Sequence, residues 1–80
     1  MIKENLGIIG AGYVGLTTAL AFAEKGFRVN IYDNDSKKID DLKIAKSYYY
    51  EPGLDELLRK HIKNDYLNIY SELNFFLEST

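Results

Sequence analysis

Three glycines, Gly10, Gly12 and Gly15, stand between a short apolar run and a stretch rich in Leu, Ala and Thr. That spacing limits the possible folds more than any other feature, because glycine reaches backbone conformations closed to other residues and admits close approach. Before it, Leu6, Ile8 and Ile9 form a run too short for a helix, and a buried strand is expected. After it, Tyr13 to Lys25 carries Leu16, Leu20 and Ala23 on one face, with Gly26 placed to close the end. This is the pattern of a helix.

The segment "FRVNIYD" alternates, with Val29 and Ile31 pointing one way and Arg28, Asn30 and Tyr32 the other, and ends at Asp33. It reads as a second strand. "NDSKKIDDLK" offers several N-caps and the pair Ile39 and Leu42 at helical spacing, so a short helix is expected from about Ser36. Pro52 suits the first position of a third helix, with Asp55 and Glu56 early, Arg59 and Lys60 late, and Leu54, Leu57, Leu58 and Ile62 as its buried stripe. Tyr66 to Tyr70 reads as a third strand, and "ELNFFLES" opens a further helix. Strands that alternate with helices imply a parallel sheet of class α/β: three parallel strands with flanking helices, the first half of a Rossmann-type doubly wound sheet.

A Gly-x-Gly-x-x-Gly run between a strand and a helix, with an acidic residue at the tip of the next strand, is the dinucleotide-binding fingerprint. Gly10 permits the tight turn, Gly12 lets the backbone approach a diphosphate, and Gly15 lets the helix pack on the strand. The N–H groups of the first helical turn, from Tyr13 and Val14 onward, face the phosphates with the positive end of the helix dipole behind them. Asp33 is expected to accept from the adenosine ribose hydroxyls and to repel a 2′-phosphate, so NAD is preferred to NADP. The alternative is that the glycines make only a structural turn and Asp33 only caps the next helix. Lys38, one turn into that helix, reaches back to the same ribose or is a solvated lysine beside Lys37. Tyr13 leans over the phosphates or merely packs. His61, with no cysteine and no second histidine near it, is expected to be structural.

Composition closes other routes. A net charge of −2 leaves no basic stripe, so nucleic acid is not expected as a partner. With no cysteine there is no disulfide, thiolate zinc site or thiol nucleophile, and a cytoplasmic setting fits. No stretch approaches the roughly 20 apolar residues of a membrane span, and no signal peptide is expected.

"GIIGAGYVGLTTALAFAEKGFRVNIYDND", "KKI" and "YYYEPGLDELL" together resemble the amino-terminal region of the UDP-glucose/GDP-mannose dehydrogenase family. In that family the G-x-G-Y-V-G loop is followed by an Asp at the second strand's end, a basic residue five positions later and an E-P-G-L segment. The matching positions are Gly10 to Gly15, Asp33, Lys38 and Glu51 to Leu54. The resemblance implies oxidation of a UDP-sugar C6 hydroxyl to a carboxylate in two steps with two NAD. It strengthens ribose contact for Lys38 and implies a catalytic Cys, Lys and Asp beyond position 80. Residues 1–80 are then a partial NAD-binding domain, not expected to catalyse alone, with catalytic and substrate domains outside this chain. The first strand becomes an exposed edge open to self-association. Alternatives are another dehydrogenase of the hydroxyacyl-CoA or phosphogluconate type, or a non-catalytic NAD-binding module.

Overall fold

Strict alternation in the second strand gives a sheet two unlike faces, one aliphatic and one polar. A computed structural model describes residues 4–80 and shows that division. Its elements are β1 (Asn5–Ile9), α1 (Tyr13–Glu24), β2 (Arg28–Tyr32), α2 (Ser36–Lys43), α3 (Leu54–Lys63), β3 (Leu67–Tyr70) and α4 (Leu73–Ser79). The strands pair in parallel in the order β1-β2-β3, with Ile8 beside Ile31 and Ile31 beside Ile69. This is half of a Rossmann-type sheet.

The aliphatic face carries the core. Val29, Ile31 and Leu67 are buried against Leu16, Ala19, Leu20 and Ala23 of α1, Ile39 and Leu42 of α2, and Leu54 and Leu58 of α3. Each such Leu or Ile contributes roughly 1.5–3 kcal/mol of transfer free energy. On the other face α4 lays Phe76 against the rings of Tyr32 and Tyr70. The stripe expected on α3 is only partly buried, since Leu57 and Ile62 pack at the margin of the core. The expectation of a buried first strand also fails: β1 lies at the sheet's edge, and Ile9 is 71% exposed. Strand pairing on one side alone leaves the outward side uncovered among the described residues, as the edge reading requires.

Three helices stop in the same way. At the end of α1, Gly26 (φ 93°) donates its N–H to Ala23 O at 3.0 Å and Phe27 donates to Phe22 O at 3.1 Å. The Phe22 and Phe27 rings then meet edge to face at 5.4 Å. These bonds and the apolar contact make a Schellman motif. Ala45 (φ 61°) closes α2 and Asp65 (φ 65°) closes α3 with the same pair of bonds, although neither is glycine. A left-handed conformation is unfavourable for a residue with a Cβ. Asp65→Gly is therefore expected to stabilise the fold by about 0.5–1 kcal/mol, raising Tm by roughly 2–8 °C in a thermal melt. An unchanged or lower Tm would mean that Asp65 carries no strain.

Helix α3 begins later than its proline suggests. Pro52 is not its first residue; the helix opens at Leu54 behind Gly53, whose φ is 83°. The cause lies upstream, where the Asp55 carboxylate accepts from the N–H (3.1 Å) and hydroxyl (2.6 Å) of Ser47. That tether folds the incoming segment back over the first turn, so the chain must reverse at Gly53 before helix starts.

His61 is structural, as expected. It is 3% exposed, and its Nε2 lies 2.7 Å from Glu24 Oε1 on α1. Asn64 Oδ1 accepts from the Tyr66 N–H at 3.0 Å, so its amide nitrogen faces His61 Nδ1 at 3.3 Å. Nδ1 is thus the acceptor, and Nε2 donates to Glu24. Hydrogen bonds from Lys60 and then His61 hold the Glu24 carboxyl below its ordinary range.

Candidate dinucleotide site

The glycine loop leaves the carboxyl end of β1, where the Gly10 N–H donates to Tyr32 O at 2.7 Å and extends the ladder by one residue. Gly10 then turns with φ 102°. Gly15 meets a different constraint. A Cβ on it would fall 2.0 Å from Gly10 O, so the helix's first turn presses directly on the loop. Gly12 meets neither: it is the N-cap of α1 at φ −70° and ψ −175°, and a Cβ there would touch nothing within 4 Å. Its side faces open space.

Helix α1 has no side-chain cap and no acidic residue in its first turn. The amides of that turn, including those of Tyr13 and Val14, therefore lack intrahelical acceptors and sit at the positive end of the dipole. Asp33 lies beside them. Its Oδ2 accepts from the Ala11 N–H at 2.8 Å and its Oδ1 from the Asp35 N–H at 2.9 Å. The carboxylate thus joins the glycine loop to the turn after β2. It does not cap α2, because Asp35 takes that position by accepting from the Lys38 N–H at 3.1 Å. The same cap orients Lys38, whose Nζ stands 3.6 Å from Asp33 Oδ2.

Burial works to raise the Asp33 pKa, but the amides of Ala11 and Asp35 and the Lys38 charge outweigh it and hold the carboxyl below its ordinary range. A lowered folded-state pKa contributes stability that is present above the unfolded value of about 3.9 and is lost as pH falls through the folded one. Denaturant melts are expected to show stability falling from about pH 4 downward, with a shallower fall in Asp33→Asn. Equal slopes in the two proteins would show that Asp33 gains nothing from these donors.

Tyr13, at the first position of α1, has side-chain partners of its own. Its ring packs edge-on against Tyr49 at 5.4 Å, and its hydroxyl donates to Glu51, which raises the Tyr13 pKa. That contact sets the Glu51-to-Leu54 segment beside the loop, along a groove of about 610 Å³ between α1 and α3. Sequence reasoning missed Ala11 and Tyr49. Ala11 acts only through its main chain, which leaves no trace in residue type. A run of three tyrosines does not reveal which one turns inward. Among the described residues no cluster of His, Cys, Asp and Glu forms a metal site, and no helix is long and apolar enough to cross a membrane.

Open space over Gly12, free amides at a helix mouth and a carboxylate at the adjoining strand tip fit a diphosphate followed by a ribose. Fold and mouth together define a dinucleotide-binding half of a Rossmann-type domain. Residues 4–79 match the NAD-binding domain of the UDP-glucose/GDP-mannose dehydrogenase family. The chain belongs to that family, and its cofactor is NAD. It is 44% identical over 64 residues to the UDP-glucose 6-dehydrogenase YwqF of Bacillus subtilis, covering 80% of this chain and 14% of YwqF. It is 44% identical over 58 residues to the UDP-glucose 6-dehydrogenase of Pseudomonas aeruginosa, covering 72% of this chain and 13% of that one. Among solved structures, a UDP-glucose dehydrogenase from Pyrobaculum islandicum superimposes on all of this chain and 18% of its own, with a TM-score of 0.84 and 29% identity. A GDP-mannose dehydrogenase from Pseudomonas aeruginosa matches 84% of this chain and 15% of its own, with a TM-score of 0.77 and 34% identity. The chain thus spans about one-seventh of the length of these curated relatives.

Proposed function

We propose that the protein is the cofactor-holding part of an enzyme that oxidises the C6 hydroxyl of a UDP-sugar to a carboxylate, in two steps that each consume one NAD. The main-chain amides of Gly12 to Gly15, those of Tyr13 and Val14 included, bind the diphosphate, while Gly10 makes the turn and its N–H and that of Ala11 stay bonded to Tyr32 O and Asp33. Asp33 accepts from the ribose hydroxyls, and Lys38 stands over the same sugar while holding Asp33 in place. NAD supplies the hydride acceptor. This chain's own residues bind and orient its ADP half and exclude a 2′-phosphate by charge. A cytoplasmic setting, and dependence on further domains for catalysis and sugar binding, belong to the same proposal.

One observation carries this reading: the Ala11 N–H donates to Asp33 at 2.8 Å, so the Asp33 carboxylate lies beside the glycine loop, which supports a ribose-binding role. Titration of the chain with ADP-ribose is expected to shift the amide signals of Gly10 to Gly15 and of Asp33 in a saturable manner. Silence there would refute the site. Asp33→Ala is expected to weaken NAD about ten- to a hundredfold, the worth of hydrogen bonds to a charged group, while NADP loses less than about threefold. Equal losses would reduce Asp33 to a staple between two loops.

A further inference from the structure

Alternation gives the second face of the sheet an unusual chemistry. Arg28 and Asn30 of β2 share it with Asn5 of β1 and Asn68 of β3, and the register sets Asn5 beside Arg28 and Asn30 beside Asn68. Parallel sheets of this class ordinarily present Val, Ile and Leu on both faces. Here the amino-terminal end of the polar face holds a cavity of about 310 Å³, walled also by Tyr70 and Ser79, with Asp65 at its rim. The glycine loop follows the carboxyl end of β1, so the cavity lies at the opposite end of the strands.

Several donors in the cavity are already engaged. Asn30 Nδ2 donates to Ser79 O at 2.9 Å and to Thr80 Oγ1 at 3.2 Å, and the Tyr70 hydroxyl donates to Ser79 Oγ at 3.0 Å. Asn68 Nδ2 donates to Asp65 O at 3.4 Å. Arg28 differs. Among the described residues its guanidinium has no ion-pair partner, and its Nε is shielded from solvent with no acceptor. A guanidinium cannot shed its charge, and it presents five donors in a rigid fork that matches an oxyanion. Shielding part of that fork without an acceptor is unfavourable, and an anion against its open side supplies both charge and acceptors.

We propose that this cavity is a second ligand site, which takes a small oxyanion of the phosphate or carboxylate type on Arg28, with the Asn5 amide beside it. Asp65 is exposed and has no ion-pair partner among the described residues; its charge opposes the ligand and keeps the affinity low.

The test is a residue-resolved NMR titration of the 80-residue chain at constant ionic strength, with inorganic phosphate in one arm and acetate in the other. Phosphate also suits the helix mouth, so the readings at Asn5, Arg28 and Asn68 are compared with those at Gly12 and Gly15. Saturable shifts at the first group with at least one anion support the site, and the arm that saturates identifies the source. Arg28→Met should erase them while those at Gly12 and Gly15 remain. Asp65→Asn, which the left-handed backbone tolerates, should tighten binding about threefold, the scale of removing one like charge from a solvated rim. Linear shifts in both arms, shifts that survive Arg28→Met, or an Asp65→Asn affinity that fails to rise would each overturn the proposal. If Arg28→Met does not fold, the Asp65→Asn arm decides alone.

Discussion

Gly15→Ala is expected to lower the stability of the chain by about 3 kcal/mol or more, and its Tm by about 12–24 °C. The added Cβ would lie 2.0 Å from Gly10 O and 3.1 Å from Gly10 C, and both atoms are backbone. No side-chain rotation can relieve that clash. Either α1 lifts from the end of β1, uncovering Leu16 and Leu20, or the loop gives up the Gly10 bond to Tyr32 O. A domain of this size has a total stability of roughly 4–12 kcal/mol, so the loss is a large share of it. Thermal and urea melts of the variant check this. A Tm within a few degrees of the parent would show that helix and strand are not in hard contact there.

Gly12→Ala should do the reverse. Its Cβ meets no protein atom within 4 Å, and φ −70° with ψ −175° is extended backbone open to any residue. Loss of a glycine N-cap costs about 1 kcal/mol at most, so the variant should fold. In the proposed site the methyl group would occupy the space of the diphosphate against the helix amides, and NAD affinity should fall at least about tenfold. Affinity measured by calorimetry beside a thermal melt separates the two quantities. A variant that binds NAD as the parent does would show that nothing approaches the loop from that side. Together the two alanines distinguish a glycine required by packing from one required by a ligand. The spacing of the fingerprint alone does not separate the two kinds.

Much of the architecture was legible because its signals are local. Val29 and Ile31 alternate with Arg28, Asn30 and Tyr32, and Leu16, Leu20 and Ala23 recur at helical spacing; each pattern follows from one element's own period. The end of α1 was legible at Gly26, whereas those of α2 and α3 were not, because Ala45 and Asp65 reach the same left-handed conformation without glycine. The onset of α3 at Leu54 is hidden for a related reason. Pro52 is an admissible first helical residue, but the Ser47–Asp55 tether imposes a reversal at Gly53, and a contact across a loop carries no periodicity.

The α/β class, the strand-turn-helix at the glycines and the acidic tip at Asp33 follow from residue order alone, because backbone conformation and burial pattern are properties of residues a few positions apart. That Asp33 grips the loop through Ala11, that Tyr13 turns to Tyr49 and Glu51, and that His61 donates to Glu24 are settled by the packing of the elements on one another. The same packing separates the crowded Gly15 from the open Gly12. Those outcomes depend on distances between atoms on different elements, and such distances exist only once the strands have paired and the helices have docked.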